Sequence, residues 1–169
     1  MRSCRPTAQA RLPLRSPSRP ALPAAGAEWL AGRYRLPEPR LELAAALKAF
    51  ASAAADVSDG LVADAGHIGE ASGVRVRIEL DRLPVSEPAS AWLSSQPDRP
   101  AALAQLATGG DDYEVVCACP PEKAAALIAA AEAAGVAMTD VGEVAAGEGA
   151  EALLAGRPIR LAHTGWRHG

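Results

Sequence analysis

The sequence predicts an α+β fold with a mixed, largely antiparallel sheet covered by helices. Apolar residues recur at helical spacing in residues 59–72, whereas residues 74–81 alternate apolar and charged side chains with a period of two. Helices and strands then follow one another without a regular βαβ repeat, which disfavours a parallel doubly wound sheet. With 169 residues, of which 49% are hydrophobic, the chain is long enough to bury one core.

The two ends of the chain differ in charge. The first 27 residues contain five arginines, several prolines and no acidic residue, whereas the whole chain has a formal charge of −3, which leaves −8 for the remainder. We therefore predict a disordered basic Pro/Arg-rich leader over residues 1–27 and one folded domain over residues 28–169. An acidic domain argues against nucleic-acid binding, which depends on Lys and Arg at the phosphates.

The cysteines and the apolar runs narrow the class of protein further. Cys4, Cys117 and Cys119 are odd in number and lack C-x-x-C spacing, so they indicate neither a disulfide framework nor a zinc site. No uninterrupted apolar run reaches the eighteen or so residues that a membrane span needs. We expect a cytoplasmic protein with no membrane contact.

The elements are predicted in chain order from periodicity and from Gly and Pro punctuation. An Ala-rich helix is expected after the Pro-Glu-Pro break, and an amphipathic helix is expected to stop at Gly73. Pro121 opens a later helix and Gly135 closes it. The predicted helices cover residues 41–53, 59–72 and 121–134, a short helix and a loop fall in 84–99, and the predicted strands cover 74–80, 113–118, 138–144 and 150–154.

Two acidic clusters are the main functional signal. Residues 56–60 read Asp-Val-Ser-Asp-Gly at a predicted helix start, and residues 109–114 read Gly-Gly-Asp-Asp-Tyr-Glu before an apolar strand. Mg²⁺ uses one or two carboxylates together with phosphate oxygens. The first cluster therefore indicates a metal-phosphate site, with the alternative that Ser58 and Asp59 only cap the helix.

Glu114 is a single carboxylate on an otherwise apolar strand, so it needs a partner. It either faces a cleft and binds a cationic ligand, or pairs with an arginine of this chain. The sequence leaves both interpretations open.

The order and spacing of several motifs resemble thiamine-monophosphate kinase, within the aminoimidazole-ribonucleotide-synthetase-like superfamily. The resemblance covers roughly residues 30–168. The matching segments are residues 35–41, 56–61 with Asp64, 72–73, 83–84, 109–114, 141–144 and 165–168.

The resemblance implies transfer of the γ-phosphoryl group of ATP onto thiamine phosphate, with Mg²⁺ as cofactor. It places Asp56 and Asp59 on the metal, and Ser58 on an ATP phosphate. Glu114 would hold the cationic thiamine moiety and Trp166 would lie against an aromatic ring, although Trp166 could instead be an ordinary C-terminal anchor. No residue is assigned as an acid–base catalyst, since phosphoryl transfer depends mainly on positioning and electrostatics.

Members of that family also have an N-terminal ATP-binding domain, to which nothing in these 169 residues corresponds. We therefore expect a truncated C-terminal domain that is not active alone, with homodimerisation or pairing with a separately encoded N-terminal domain as possible assembly states. Two alternatives remain: another member of the superfamily with a different phosphate acceptor, and a non-catalytic remnant or scaffold domain.

Overall fold

The computed structural model of the chain describes residues 24–165. Its helices are α1 Ala24–Arg35, α2 Ala44–Phe50, α3 Leu61–Ser72, α4 Glu87–Ser95, α5 Arg99–Ala107 and α6 Pro121–Ala133. Its strands are β1 Ala53–Val57, β2 Arg75–Glu79, β3 Glu114–Ala118, β4 Gly142–Ala145, β5 Gly149–Leu154 and β6 Arg157–Pro158. Single 3₁₀ turns occupy Leu41–Leu43 and Leu80–Arg82.

The strands form two sheets. β1 and β3 make an antiparallel pair, and the second sheet has the order β4-β2-β5-β6, in which only the β2–β5 pair is parallel. This arrangement confirms the predicted α+β class with a mixed, largely antiparallel sheet.

One helix joins the two sheets. α3 packs against strands of both, and the largest apolar cluster includes Val57 and Val116 from the small sheet together with Ile78 and Ala152 from the large one. Close approach depends on Gly69, because a Cβ there would collide with the carbonyl oxygen of Gly149 in β5. α3, which follows the first acidic cluster, is therefore packed against both sheets.

The other face of the β1–β3 pair is covered by α2 and α6. Cys117 and Cys119 pack there with Ala46 and Leu127, so both cysteines act as small apolar core residues. As predicted for the strand that begins near Glu114, β3 is buried on both faces.

The exposed face of the larger sheet also agrees with the sequence pattern. Val76 and Ile78 are buried, whereas Arg77 pairs with Glu143 and Glu151 at 3.4 Å and 3.1 Å. α3 ends as predicted, because Gly73 adopts a left-handed conformation with φ of 62°.

Some predicted element bounds were wrong, and α1, α5, β1 and β6 were not predicted. The helix predicted over 41–53 ends at Phe50, and Ala53–Val57 forms β1 because Ala55 and Val57 pair with β3 and bury one face, which overrides alanine's helix propensity. α5, which follows the predicted short helix and loop, was missed. The strand expected over 138–144 begins only at Gly142.

The predicted boundary between residues 27 and 28 falls inside α1, and residues 1–23 lie outside the described residues. In the described part of the chain, no helix combines the length and apolar character needed to cross a bilayer.

Candidate functional site

The two acidic clusters meet through their backbones. Strand pairing places Val57 opposite Glu114, and two further hydrogen bonds continue the contact past the strand ends. The N–H of Asp111 donates to the Ser58 carbonyl at 2.8 Å, and the N–H of Tyr113 donates to the Val57 carbonyl at 3.1 Å. The segments that the sequence singled out therefore form one structural unit.

Two glycines make this contact possible. A Cβ on Gly110 would lie 2.5 Å from the Ser58 carbonyl oxygen, and one on Gly60 would lie 2.9 Å from the carbonyl carbon of Thr108. Gly60 also has a φ of 125°, a conformation that other residues rarely adopt. The glycine in each motif thus allows close approach of the other motif.

Asp64 organises the first cluster from inside α3. One oxygen of its carboxylate, Oδ2, accepts the backbone N–H groups of Ser58, Asp59 and Gly60 at 3.0, 3.1 and 3.2 Å. The residue is only 5% exposed. Burial raises the pKa of the Asp64 carboxyl, and the three N–H donors, which favour the charged form, oppose this effect.

The helix start lies after Ser58 and Asp59. α3 begins at Leu61, and its N-cap residue is Gly60, which has no side chain with which to cap the helix. Neither Ser58 nor Asp59 therefore occupies the N-cap position. The Ser58 side chain is exposed, Asp56 is exposed on β1, and Asp59 is partly buried. Because Asp64 takes the N–H groups of residues 58–60, these groups are also not the open anion site that a helix start often provides.

These side chains fit a modest Mg²⁺ site. Within residues 24–165, no three His, Cys, Asp or Glu side chains are grouped to hold a metal ion. Mg²⁺ bound with a nucleotide needs only one or two carboxylates, since phosphate oxygens and waters supply the remaining ligands. Asp56 and Asp59 provide that number, and Asp64 is committed to the backbone.

Glu114 is bonded to arginines of its own chain. Its two carboxylate oxygens accept from Nη2 and Nε of Arg40 at 2.7 and 2.9 Å, and Nη2 of Arg33 lies 3.4 Å from Oε1. Glu114 is 1% exposed, and its hydrogen bonds raise the pKa of Arg40. The arginine-pairing alternative is therefore observed, and direct binding of a cationic ligand would require these arginines to move. That substrate-binding role stays a prediction.

The second cluster contains an irregular backbone. Asp111 and Tyr113 have φ values of 64° and 53°, which are uncommon for residues other than glycine. The side chain between them, Asp112, is 2% exposed, whereas Asp111 is exposed and Tyr113 is 42% exposed. In this loop Asp112 is therefore buried, whereas Asp111 and Tyr113 are exposed to solvent beside the first cluster.

The C-terminal segment approaches the same site. A Cβ on Gly165 would lie 2.5 Å from the Cβ of Ala63 and 2.7 Å from the carbonyl oxygen of Asp59. Trp166, for which a substrate-binding role was predicted, lies outside the described residues. Its predicted role is therefore untested, although Gly165 immediately before it contacts the first cluster.

Comparison with known proteins decides the family. The sequence profile described as "AIR synthase related protein, C-terminal domain" matches residues 25–154. This chain belongs to that family. Its match covers both acidic clusters and all the strands except β6, so the candidate site lies within the AIR synthase related domain.

Thiamine-monophosphate kinases are among the relatives of this AIR synthase related domain. The one from Caulobacter vibrioides is 53% identical over 137 residues, covering 81% of this chain and 39% of the relative. The crystal structure from Stenotrophomonas maltophilia K279a shares 37% identity with a TM-score of 0.68, covering 80% of this chain and 41% of that one. A structure of AaThiL complexed with AMPPCP and TMP shares 25% identity with a TM-score of 0.73, covering 99% and 51%.

These comparisons confirm the predicted resemblance to the C-terminal domain of thiamine-monophosphate kinase. The chain spans about two-fifths of the length of the curated relatives that it matches, at 39% and 43% for two of them.

Two functional residues had no assigned role in the sequence interpretation. Asp64 and Arg40 both fall within segments that carry the resemblance, but their partners are the backbone of residues 58–60 and the distant Glu114. The sequence feature that could have identified Asp64 is its place in the first turn of a helix, next to the apolar Ala65 that is buried. Nothing in the spacing could identify which arginine pairs with Glu114.

Proposed function

We propose that this chain carries part of a thiamine-phosphate kinase site, at which ATP phosphorylates thiamine phosphate to thiamine diphosphate. The backbone junction of residues 56–60 with residues 109–114 is the observation that carries the proposal. It joins the backbone of the segment that contains Asp56, Ser58 and Asp59 to the second acidic segment, in a chain that is 53% identical over 137 residues to a thiamine-monophosphate kinase. The complex of the similar AaThiL with AMPPCP and TMP supports a nucleotide and TMP as the ligand classes.

The proposed roles of these side chains are those that the resemblance to thiamine-monophosphate kinase implies. Asp56 and Asp59 would hold Mg²⁺, and the Ser58 hydroxyl would donate a hydrogen bond to a phosphate oxygen. Bound Mg²⁺ neutralises and aligns phosphate oxygens in phosphoryl transfer. Since Asp64 already occupies the main-chain N–H groups of residues 58–60, phosphate recognition at this loop would depend on side chains and metal rather than on backbone donors.

Glu114 and Trp166 remain the proposed residues for the thiamine moiety. A tryptophan face attracts a cationic ring, and Gly165 brings the chain that leads to Trp166 against Asp59. For Glu114 to contact the cation directly, the ligand's positive charge would have to replace part of its pairing with Arg40. A Glu114→Gln change should then weaken binding of thiamine phosphate, measured as ligand-dependent protection against thermal unfolding.

We also propose that turnover needs the region of the relatives that these 169 residues do not match. Leu36 and Leu41 are 78% and 76% exposed, and Tyr34 and Tyr113 are 47% and 42% exposed. Tyr34, Leu41 and Tyr113 are next in sequence to Arg33, Arg40 and Glu114, which are bonded to one another. Exposed apolar side chains in such a group are typical of a contact surface.

The test is reconstitution of activity in a cytoplasm-like reducing buffer. The full chain is mixed with the separately expressed unmatched region of the Caulobacter vibrioides relative, and phosphoryl transfer from ATP to thiamine phosphate is measured with Mg²⁺. We expect turnover in the mixture and none with the chain alone. Asp59→Asn should lower the rate about a hundredfold or more, whereas the matched exposed-acid control Glu132→Gln on α6 should not change it.

Other results would identify other functions. Turnover with a different phosphate acceptor, but not with thiamine phosphate, would contradict the assigned substrate. A folded mixture that shows neither turnover nor protection by Mg²⁺ and ATP would contradict an enzymatic role and favour a scaffold. Light scattering of the chain alone would distinguish a homodimer from a monomer that pairs with the second region.

A further inference from the structure

Three successive backbone N–H groups converge on a single side-chain oxygen in this domain. Those of Ser58, Asp59 and Gly60 all point to Oδ2 of Asp64, at 3.0 to 3.2 Å. Successive N–H groups that form a concavity of this kind ordinarily bind an anion such as phosphate. Here the anion is a buried carboxylate of the same chain.

The carbonyl side of the same loop is also held. The Ser58 carbonyl accepts the N–H of Asp111 at 2.8 Å, and Gly165 packs against the Asp59 carbonyl oxygen. The peptide groups of this loop are therefore held on both their N–H side, by Asp64, and their carbonyl side. Loss of the Asp64 oxygen would free three donors at once.

We infer that Asp64 is a positioning residue, which fixes the backbone of Ser58 and Asp59 so that their side chains meet a metal-bound phosphate. This inference rests on the proposed function for the identity of the ligand. It gives Asp64 no contact with metal or substrate: its oxygen acts through the peptide groups of residues 58–60. Partners that orient metal ligands typically change metal affinity by about 10- to 100-fold when removed.

Variants of Asp64 separate position from charge. Asp64→Asn removes the negative charge but keeps an oxygen that can accept the three N–H groups. Asp64→Glu keeps the charge but displaces the oxygen by one methylene, and Asp64→Ala removes both. If the position of the accepting oxygen determines metal binding, Asp64→Asn should retain it, whereas Asp64→Glu and Asp64→Ala should lose it.

The first measurement is binding of Mn²⁺–ATP to the full 169-residue chain, monitored by electron paramagnetic resonance on folded samples. We expect Asp64→Asn to bind within about threefold of the unmodified chain, and Asp64→Glu and Asp64→Ala to bind about tenfold more weakly or worse. Equal weakening in Asn and Ala, with Glu unchanged, would show a purely electrostatic effect and overturn the inference. If Asp64→Ala does not fold, the comparison of Asn with Glu decides the question.

The second measurement distinguishes this inference from the proposed function. Amide hydrogen exchange at Ser58, Asp59 and Gly60 should be slow in the unmodified chain and in Asp64→Asn, and about tenfold faster in Asp64→Glu. Failure of the unmodified chain to bind Mn²⁺ in the presence of ATP would contradict the metal part of the proposed function. Unchanged exchange at these three amides in Asp64→Glu would overturn the positioning role itself.

Discussion

Removal of the Arg40 guanidinium should strongly destabilise the domain, because it leaves Glu114 buried with an uncompensated charge. Glu114 is 1% exposed, and Arg40 supplies its two shorter hydrogen bonds, at 2.7 and 2.9 Å. In the Arg40→Ala variant, the 3.4 Å contact from Arg33 would be the one cationic contact left to Glu114 among residues 24–165.

The expected magnitude follows from the burial of this pair. Removing one partner of a buried ion pair costs about 3–5 kcal/mol. The side chain of Arg40 is 16% exposed and Arg33 remains nearby, so we expect the lower end, about 3 kcal/mol. The contact of Arg40 with exposed Glu38 at 3.7 Å should add little. In a chain of this length, 3 kcal/mol corresponds to a fall in Tm of about 6–12 °C.

The assay is urea unfolding of the full chain, followed by circular dichroism. Arg35→Ala is the matched control, since Arg35 is an exposed arginine at the end of α1, and its change should stay within about 0.5 kcal/mol. Replacing both Arg40 and Glu114 by leucine should recover most of the loss, because an apolar pair leaves no buried charge. An Arg40→Ala variant as stable as the control would refute the assignment of Arg40 as the partner that neutralises Glu114.

Three further predictions concern the backbone around the site, and each is checked by the free energy of unfolding. Gly69→Ala should destabilise the domain by about 1–3 kcal/mol, because the added Cβ would collide with the backbone of β5. Its control Gly32→Ala should stabilise α1 by about 0.5–1 kcal/mol, because a Cβ there has no atom within 4 Å. A change of the same sign in both variants would contradict the packing described. Gly110→Ala should lower the free energy of unfolding by about 1–3 kcal/mol and also weaken Mn²⁺ binding, since its Cβ would push against the Ser58 carbonyl. A loss of stability with unaltered metal binding would show that this contact is not part of the site. Ser58→Ala should change stability by less than about 0.5 kcal/mol, whereas a loss of about 1 kcal/mol would reveal a capping role.

The sequence predicted those parts of the fold that depend on local chemistry. Gly73 ends α3 because glycine adopts the left-handed conformation there at little cost, and Val76 and Ile78 alternate with charged residues because one face of β2 is wet. The strand Ala53–Val57 was not predicted, and the preceding helix was extended to Ala53, because alanine favours helix in isolation and the pairing with β3 cannot be read from local sequence.

The sequence predicted which residue types form the site, but not which residues are hydrogen-bonded to one another. The sequence indicated that Glu114 needs a partner, yet Arg40 lies 74 positions away and several arginines were equally available. Asp64 escaped assignment for a different reason. Its carboxylate accepts hydrogen bonds from backbone N–H groups, which every residue except proline has, so no residue type in residues 58–60 marks the contact.

The central claim is that residues 56–60 and 109–114 form one site for a metal-bound nucleotide. Nuclear magnetic resonance of the full chain, titrated with Mn²⁺ and ATP, tests it directly, because Mn²⁺ broadens the amide signals of nearby residues. We predict that both segments broaden together, and that the acidic face of the larger sheet, with Glu143 and Glu151, does not. Broadening of that sheet face instead, or of only one of the two segments, would contradict the account.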